Sequence, residues 1–277
     1  MTIWQAIILG IIQGLTEFLP ISSSGHLILV PWLWQWEIFH HPELNKTFDV
    51  ALHFGTFVGV VLYFRREVVG LVRGWLGSIA RWSLRDDPYR KLSWLVIIST
   101  IPGAAAGVLF EDVIEQRLGA PLIIGLLLVG VGVLLAAAEW AGKHRRGVEA
   151  VGWGDAVIIG LAQALALAPG TSRAGITIAT GLFAGFRREA AARYSFLISI
   201  PIIGGAAAAE GWDLIGAGIP AGMAWPFVVG VLSAAVSGYA VIKFFLAYLG
   251  RGTLYPFVAY RIAVGALVVY LASRAML

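Results

Sequence analysis

The chain has 277 residues, 59% of them hydrophobic and 13% charged, with a mean hydropathy of +0.83 and a net charge of +4. A soluble domain carries about 25% charged residues, so this balance excludes a soluble globular fold and leaves no basic surface dense enough for nucleic acid. The absence of cysteine excludes disulfides, thiol catalysis and zinc–thiolate sites together. What remains is an all-α polytopic membrane protein, with 34 glycines and 11 tryptophans suited to close helix packing and interfacial anchoring.

The first apolar run starts at Ile3. No Lys or Arg precedes Pro20, so it lacks the basic start of a signal peptide and is expected to be retained. Between Gln13 and His26 it reads Q-G-L-T-E-F-L-P-I-S-S-S-G-H before turning apolar again at Leu27. A polar cluster inside a hydrophobic segment is costly in lipid and marks a functional site by default. Continuous apolar segments long enough to span (about 17–25 residues) follow at roughly 48–64, 93–110, 120–139, 194–210, 223–249 and 254–273. Two further regions, about 3–37 and 153–186, are each broken by Pro, Ser and Gly. The expected architecture is one membrane domain over 1–277, with six transmembrane helices and two re-entrant helical hairpins. Such broken backbone is tolerated at membrane depth only when it is buried in protein or lines a wet cavity.

Basic residues give the sidedness. The 65–91 loop holds Arg65, Arg66, Arg73, Arg81, Arg85, Arg90 and Lys91, and the 140–152 loop holds Lys143, Arg145 and Arg146. Arg187, Arg188, Arg193 and Arg251 fall on the same side. The opposite side has Lys46, Arg117 and Arg274 among the acids Glu43, Glu111, Asp112, Glu115, Glu210 and Asp213. The rich loops are therefore cytoplasmic, the first hairpin enters from outside, and the second enters from the cytoplasm. Residues 66–86 read as an interfacial amphipathic helix on the cytoplasmic leaflet. Val68, Val72, Trp75, Ile79 and Trp82 lie on one face, with Arg66 and Arg73 on the other.

Two halves repeat, approximately 1–140 and 150–277. A-I-I-L-G-I-I-Q-G-L from Ala6 matches A-V-I-I-G-L-A-Q-A-L from Ala156, and the same offset pairs Ser22 with Ser172 and Gly25 with Gly175. F-R-R-E recurs at Phe64 and Phe186, and I-S-T-I-P at Ile98 recurs as I-S-I-P at Ile198. An odd number of crossings separates the two starts, so the repeats are inverted, which puts a site near the midplane where the broken helices meet.

Each hairpin's second arm begins with helix N-terminal residues: Ser22 or Ser23 after Pro20, and Thr171 or Ser172 after Pro169-Gly170. Helix N-termini attract anions through unsatisfied N–H groups and the helix dipole. Arg173 adds a fork suited to phosphate, and Ser22, Ser23, Ser24, Thr171, Ser172 and Thr177 add hydroxyls. Gln13 and Glu17, at i and i+4, share a helical face and offer an amide oxygen and a carboxylate to a hard cation. A serine near His26 can serve as an activated nucleophile, Ser22 being four and Ser23 three residues away. The competing readings are plain packing for Ser24, Gly25 and Gly175, a satisfied hydrogen-bonding group for His26, and a structural ion pair for Glu17 with Arg173. His53 and Tyr194 read as packing or span-end residues and Asp49 as solvated. Lys243 and Arg261 carry no assigned role.

The stretch Gln13 to His26, with P-G-T-S-R-A-G-I-T from Pro169 to Thr177, resembles the bacterial undecaprenyl-diphosphate phosphatase family associated with bacitracin resistance. That family is marked by (Glu/Gln)-x-x-x-Glu leading into P-x-S-S-x-G-H, and by P-G-x-S-R-(Ser)-x-x-T. The resemblance implies a divalent-metal-dependent membrane hydrolase that removes the terminal phosphate of a C55 polyprenyl diphosphate and so regenerates the lipid carrier for cell-wall synthesis. It implies Gln13 and Glu17 as the metal pair, with Mg2+ expected and Ca2+ as the other candidate. Ser23 becomes the nucleophile, His26 an acid/base or phosphate-orienting group, and Arg173 the diphosphate clamp. Ser22, Gly170, Thr171, Ser172 and Thr177 become substrate-binding. Position 13 is Gln rather than Glu, and position 174 is Ala where the family often has Ser. The expected setting is the inner membrane with a site open to the periplasmic side, among membrane lipids and with a homodimer allowed. Direct attack by water stays open beside the serine route, and a lipid-phosphate flippase using the same cavity is the rival function.

Overall fold

The structure, a computed structural model, describes residues 1–36, 42–81, 83–84, 87–217 and 222–275. Trp82 and Arg85, and the side chains of Glu43, Glu111, Asp112, Glu115, Glu210 and Asp213, lie outside the described part. Among the described residues eleven α-helices run in chain order: α1 Ile3–Phe18, α2 Ser23–Leu33, α3 Pro42–Tyr63, α4 Arg65–Arg81, α5 Pro88–Leu118, α6 Pro121–Ala141, α7 Trp153–Ala164, α8 Arg173–Phe183, α9 Arg188–Ala217, α10 Ala224–Leu249 and α11 Tyr255–Ala275. No strand occurs among the described residues; one isolated bridge joins Arg146 and Phe186.

Among the described residues five helices are long and apolar enough to cross a membrane, namely α5 through Phe110, α6, α9 through Ala209, α10 and α11. A sixth is counted when α3 and α4 are taken together, although they meet at an 83° bend. That bend falls at Phe64, just before Arg65 and Arg66, where the apolar run ends. The two broken regions appear as the expected pairs of short helices. Thr2 starts α1 with a reciprocal cap to Gln5, and Pro20 lies in the turn that ends it.

Helix α4 is apolar on two sides rather than one. Val68 and Leu71 pack on the main core, and the Trp75 ring lies 6.5 Å from Trp94. Val69, Val72, Leu76 and Ile79 are exposed. Gly74 lets the helix touch α5, because a Cβ there would come within 2.7 Å of the Tyr89 backbone. The face read from sequence is thus divided: Val68 and Trp75 turn toward protein, Val72 and Ile79 outward.

The helix pairs follow a pattern. Helices α1 and α3 both pack on α10, while α7 and α9 both pack on α5. Helix α3 meets α9, and α6 meets α11. Several of these contacts are backbone-close and depend on glycine. A Cβ on Gly14 would sit 2.6 Å from the Gly238 nitrogen, one on Gly265 2.7 Å from the Gly125 carbonyl, and one on Gly160 2.8 Å from the Ser99 carbonyl. Gly14→Ala must therefore push α1 away from α10 and is expected to cost about 1–3 kcal/mol. Thermal melting in detergent should show a clearly lowered midpoint; an unchanged midpoint would mean that the interface is looser than drawn.

Candidate active site

The site is assembled by two turns, each interrupting a helix pair. α1 stops at Phe18 and α2 restarts at Ser23; α7 stops at Ala164, a short 3-10 turn follows at Leu165–Leu167, and α8 restarts at Arg173. The N-cap residues Ser22 and Ser172 have nearly the same backbone, φ 77 and ψ 100 against φ 73 and ψ 113. Positive φ at a non-glycine residue costs about 1–3 kcal/mol and persists where the surroundings enforce it. Here each hydroxyl accepts from the N–H three residues on, Gly25 at 3.3 Å and Gly175 at 3.1 Å. Ser22 Oγ also accepts from Gly170 N at 3.1 Å and so ties the first turn directly to the second. The residue after each N-cap, Ser23 in one turn and Arg173 in the other, stands 150 positions from its counterpart.

A second tie comes from Arg261, which is 0% exposed and lies in the first third of α11. Its guanidinium meets only carbonyls. Nη1 donates to Pro20 O (3.1 Å), Nη2 to Gly170 O (2.8 Å), Thr171 O (3.2 Å) and Leu127 O (3.3 Å), and Nε to Leu128 O (3.1 Å). One side chain therefore holds both turns and α6. The predicted binding residues Ser22, Gly170 and Thr171 belong to this joint rather than to an open wall. Ser22→Ala removes the cap and the cross-tie while keeping the strained φ, and is expected to cost about 1–2 kcal/mol. Ser22→Gly removes the same hydroxyl but accepts positive φ freely, so it should melt higher than Ser22→Ala; the reverse order would show that the backbone strain is unimportant.

The two helix N-termini open on one cavity of about 580 Å³. Its polar wall includes Glu17, Ser23, Ser172, Arg173, His53 and Gln163; its apolar wall includes Leu27, Ile28, Val50, Ile202 and Ile203. Glu17 is the hub. Its Oε2 accepts from Ser23 Oγ at 2.6 Å and from Gln13 Nε2 at 3.2 Å, and its Oε1 accepts from Arg173 Nη2 at 3.1 Å. Arg173 Nη1 also donates to Ser195 O at 3.1 Å, and Thr177 Oγ1 lies 2.7 Å from Ser195 Oγ. Thr177 thus braces the arginine's support instead of facing the cavity.

His26 fits the reading of a satisfied hydrogen-bonding group. Nδ1 donates to Ser22 O at 2.6 Å, since a carbonyl can only accept. Nε2 then accepts from Tyr260 OH at 2.8 Å. Both nitrogens are engaged, and the partner that would activate Ser23 is Glu17. Gln13 is fully buried behind Glu17, and its Oε1 has no hydrogen-bond partner. Gln13 turns its Nε2 to Glu17 here; with the amide N and O exchanged, an amide oxygen beside the carboxylate would fit a hard cation. No cluster of three His, Cys, Asp or Glu side chains able to hold an ion occurs among the described residues.

Sequence reasoning left Arg261, His53, Tyr260 and Gln163 without function. Arg261 could have been flagged as an ionised residue deep in an apolar run. Gln163 is Gln13 plus 150, but Leu167 stands where the first half has Glu17. Gln163 Nε2 donates to Ser99 O at 3.0 Å, and its Oε1 is also unpartnered.

Fold and site together define a helical membrane protein in which two broken helices present an acid-paired hydroxyl and a guanidinium to one anion-seeking cavity. Residues 6–267 match the family model described as Bacitracin resistance protein BacA. Similar proteins named Undecaprenyl-diphosphatase include one from Pelobacter propionicus, 48% identical over 270 residues and 97% of each chain. Another, from Moorella thermoacetica, is 47% identical over 269 residues and 97% of each chain. A third, from Thermomicrobium roseum, is 43% identical over 282 residues, covering 99% of this chain and all of the relative. The chain belongs to the BacA family.

Proposed function

We propose that this protein hydrolyses undecaprenyl diphosphate to undecaprenyl phosphate and phosphate, returning the lipid carrier to cell-wall synthesis and conferring bacitracin resistance. Family membership supports the reaction, and one contact carries its chemistry: Ser23 Oγ donating to Glu17 Oε2 at 2.6 Å beside Arg173. Glu17 takes the serine proton while Oγ attacks the terminal phosphorus. The bond from that phosphorus to the bridging oxygen breaks, and the lipid monophosphate leaves with the electron pair. Water then attacks the phosphoseryl group, Glu17 returns its proton to the departing Ser23 Oγ, and the water leaves with the phosphoryl group as dihydrogen phosphate, so that hydroxyl and carboxylate are both restored. Arg173 and the first-turn N–H groups of α2 and α8 stabilise the phosphoryl oxygens, the main burden in such transfers.

The apolar wall of Leu27, Ile28, Val50, Ile202 and Ile203 receives the first isoprene units, and the rest of the tail lies among membrane lipids. Gln13 Oε1 and Glu17 would hold a divalent cation, Mg2+ or Ca2+, which when bound neutralises charge on the diphosphate. The paired contacts of α1 and α3 on α10, and of α7 and α9 on α5, support inverted repeats over about 1–140 and 150–277. Under that reading six spans flank two re-entrant hairpins, the basic loops and α4 face the cytoplasm, and the cavity opens to the periplasmic side of the inner membrane.

Phosphate release from polyprenyl diphosphate by purified protein, with and without chelator, tests the reading. One phosphate per lipid, abolished by chelator and restored by added Mg2+ or Ca2+, is expected. No release under any cation would overturn the hydrolase assignment.

A further inference from the structure

His53 faces the cavity but has no part in the chemistry above. We propose that His53 is a nitrogen ligand of the cation held by Gln13 and Glu17, giving the site a preference for first-row ions such as Mn2+ or Co2+ over Mg2+. The inference rests on the cation reading of Gln13 and Glu17.

The first observation is a separation. His53 Nε2 lies 3.7 Å from Glu17 Oε2, too far for a hydrogen bond. Two donor atoms each about 2.1 Å from one ion lie about 3.0 Å apart at a right angle and about 4.2 Å apart in line. The observed gap falls inside that interval. The second is the other ring nitrogen: Nδ1 donates to Asp49 O at 2.8 Å. A carbonyl only accepts, so Nδ1 carries the hydrogen, and in the neutral ring the Nε2 lone pair is left facing Glu17 and the cavity. Metal-bound histidines almost always anchor their second nitrogen in this way.

The third observation is Gln13 Oε1, buried and unpartnered. Gln13 now donates Nε2 to the same Glu17 oxygen; exchanging its amide N and O, which have nearly the same shape, would turn an acceptor toward the ion. Glu17 Oε2 would keep its contact with Ser23. The set is then one carboxylate oxygen, one amide oxygen and one imidazole nitrogen, contributed by α1 and α3, with water and phosphate oxygens free to complete it. Imidazole favours borderline transition ions, whereas Mg2+ prefers oxygen alone. His26 cannot substitute, because both its nitrogens are engaged.

The test uses full-length protein in detergent. Pulsed electron paramagnetic resonance of bound Mn2+ should show coupling to a directly bound nitrogen, and His53→Gln should abolish it. In calorimetry His53→Gln should weaken Co2+ binding about ten- to a hundredfold while changing Mg2+ binding by less than about threefold. His53→Asn, which can still reach the Asp49 carbonyl, serves as a second variant if His53→Gln does not elute as a monodisperse species. Nitrogen coupling that persists in the variants, or unchanged Co2+ affinity, would overturn the role of His53 while leaving the Gln13–Glu17 site standing. If neither Mn2+ nor Co2+ binds the wild-type protein while Mg2+ or Ca2+ does, this inference alone is overturned; if none of the four binds, the cation reading fails and this inference falls with it.

Discussion

Arg261→Met is expected to lower stability by on the order of 3–5 kcal/mol and to abolish phosphate release. The substitution removes a donor from five carbonyl oxygens; those of Leu127 and Leu128 keep their helical partners in α6, while those of Pro20, Gly170 and Thr171 lie in the two turns. A buried polar group left without a partner costs about 1–3 kcal/mol, and part of the total is recovered as the turns relax. At about 2–4 °C per kcal/mol for a chain of this size, the melting midpoint should fall by roughly 10 °C. Loss of turnover should exceed what unfolding explains, because Pro20 and Gly170 fix where Ser23 and Arg173 begin their helices. Arg261→Lys keeps the charge, but its three donors sit on one point, so it should recover only part of both losses. A normal melting curve and normal turnover for Arg261→Met would show that the two turns hold their shape unaided.

Ser23→Ala is expected to cut turnover by about a thousandfold or more without lowering the melting midpoint. Among the described residues the hydroxyl's one side-chain partner is Glu17, which keeps Gln13 and Arg173. Stability is therefore preserved while the nucleophile is lost. Turnover of more than about a tenth of wild type would be the size of effect expected from losing one phosphate ligand, and would transfer the attack to water. Glu17→Gln is a less clean probe, since it also leaves the nearly buried Arg173 without a counter-charge.

The chemistry-bearing residues were legible because they break an apolar pattern. Glu17, Ser23, Ser172 and Arg173 all stand out in that way, and the cavity collects all four. Helix bounds were legible in part: hydropathy alone placed α6, α10 and α11 within two residues at each end, whereas α5 and α9 run five to eight residues beyond their apolar stretches at each end. Arg261 shows where such reading stops. It was visible as a charge in a span, but its partners are main-chain carbonyls from residues 20, 127, 128, 170 and 171, and no side-chain pattern encodes those. His26 shows a second limit. Its spacing from Ser22 and Ser23 suggested a serine–histidine pair, whereas the strained turn at Ser22 offers its carbonyl to the ring and α11 supplies Tyr260. His53 was passed over because its partner Glu17 lies on another helix, so the pairing becomes visible only once α1 and α3 pack together.

The joint between the turns also bears on motion. A carrier that exposes its site alternately to two sides must let its halves swing, and the pivot ordinarily lies where the broken helices meet. Here that place is riveted: Ser22 Oγ holds Gly170 N, and a single guanidinium grips Pro20, Gly170 and Thr171. Swinging one turn past the other would strip a fully buried arginine of the carbonyls that now satisfy it. The structure therefore suits a stationary reaction chamber, in which the lipid head group travels and the protein stays still. The Gly25, Gly170 and Gly175 amides should accordingly exchange hydrogen only as slowly as the whole fold opens.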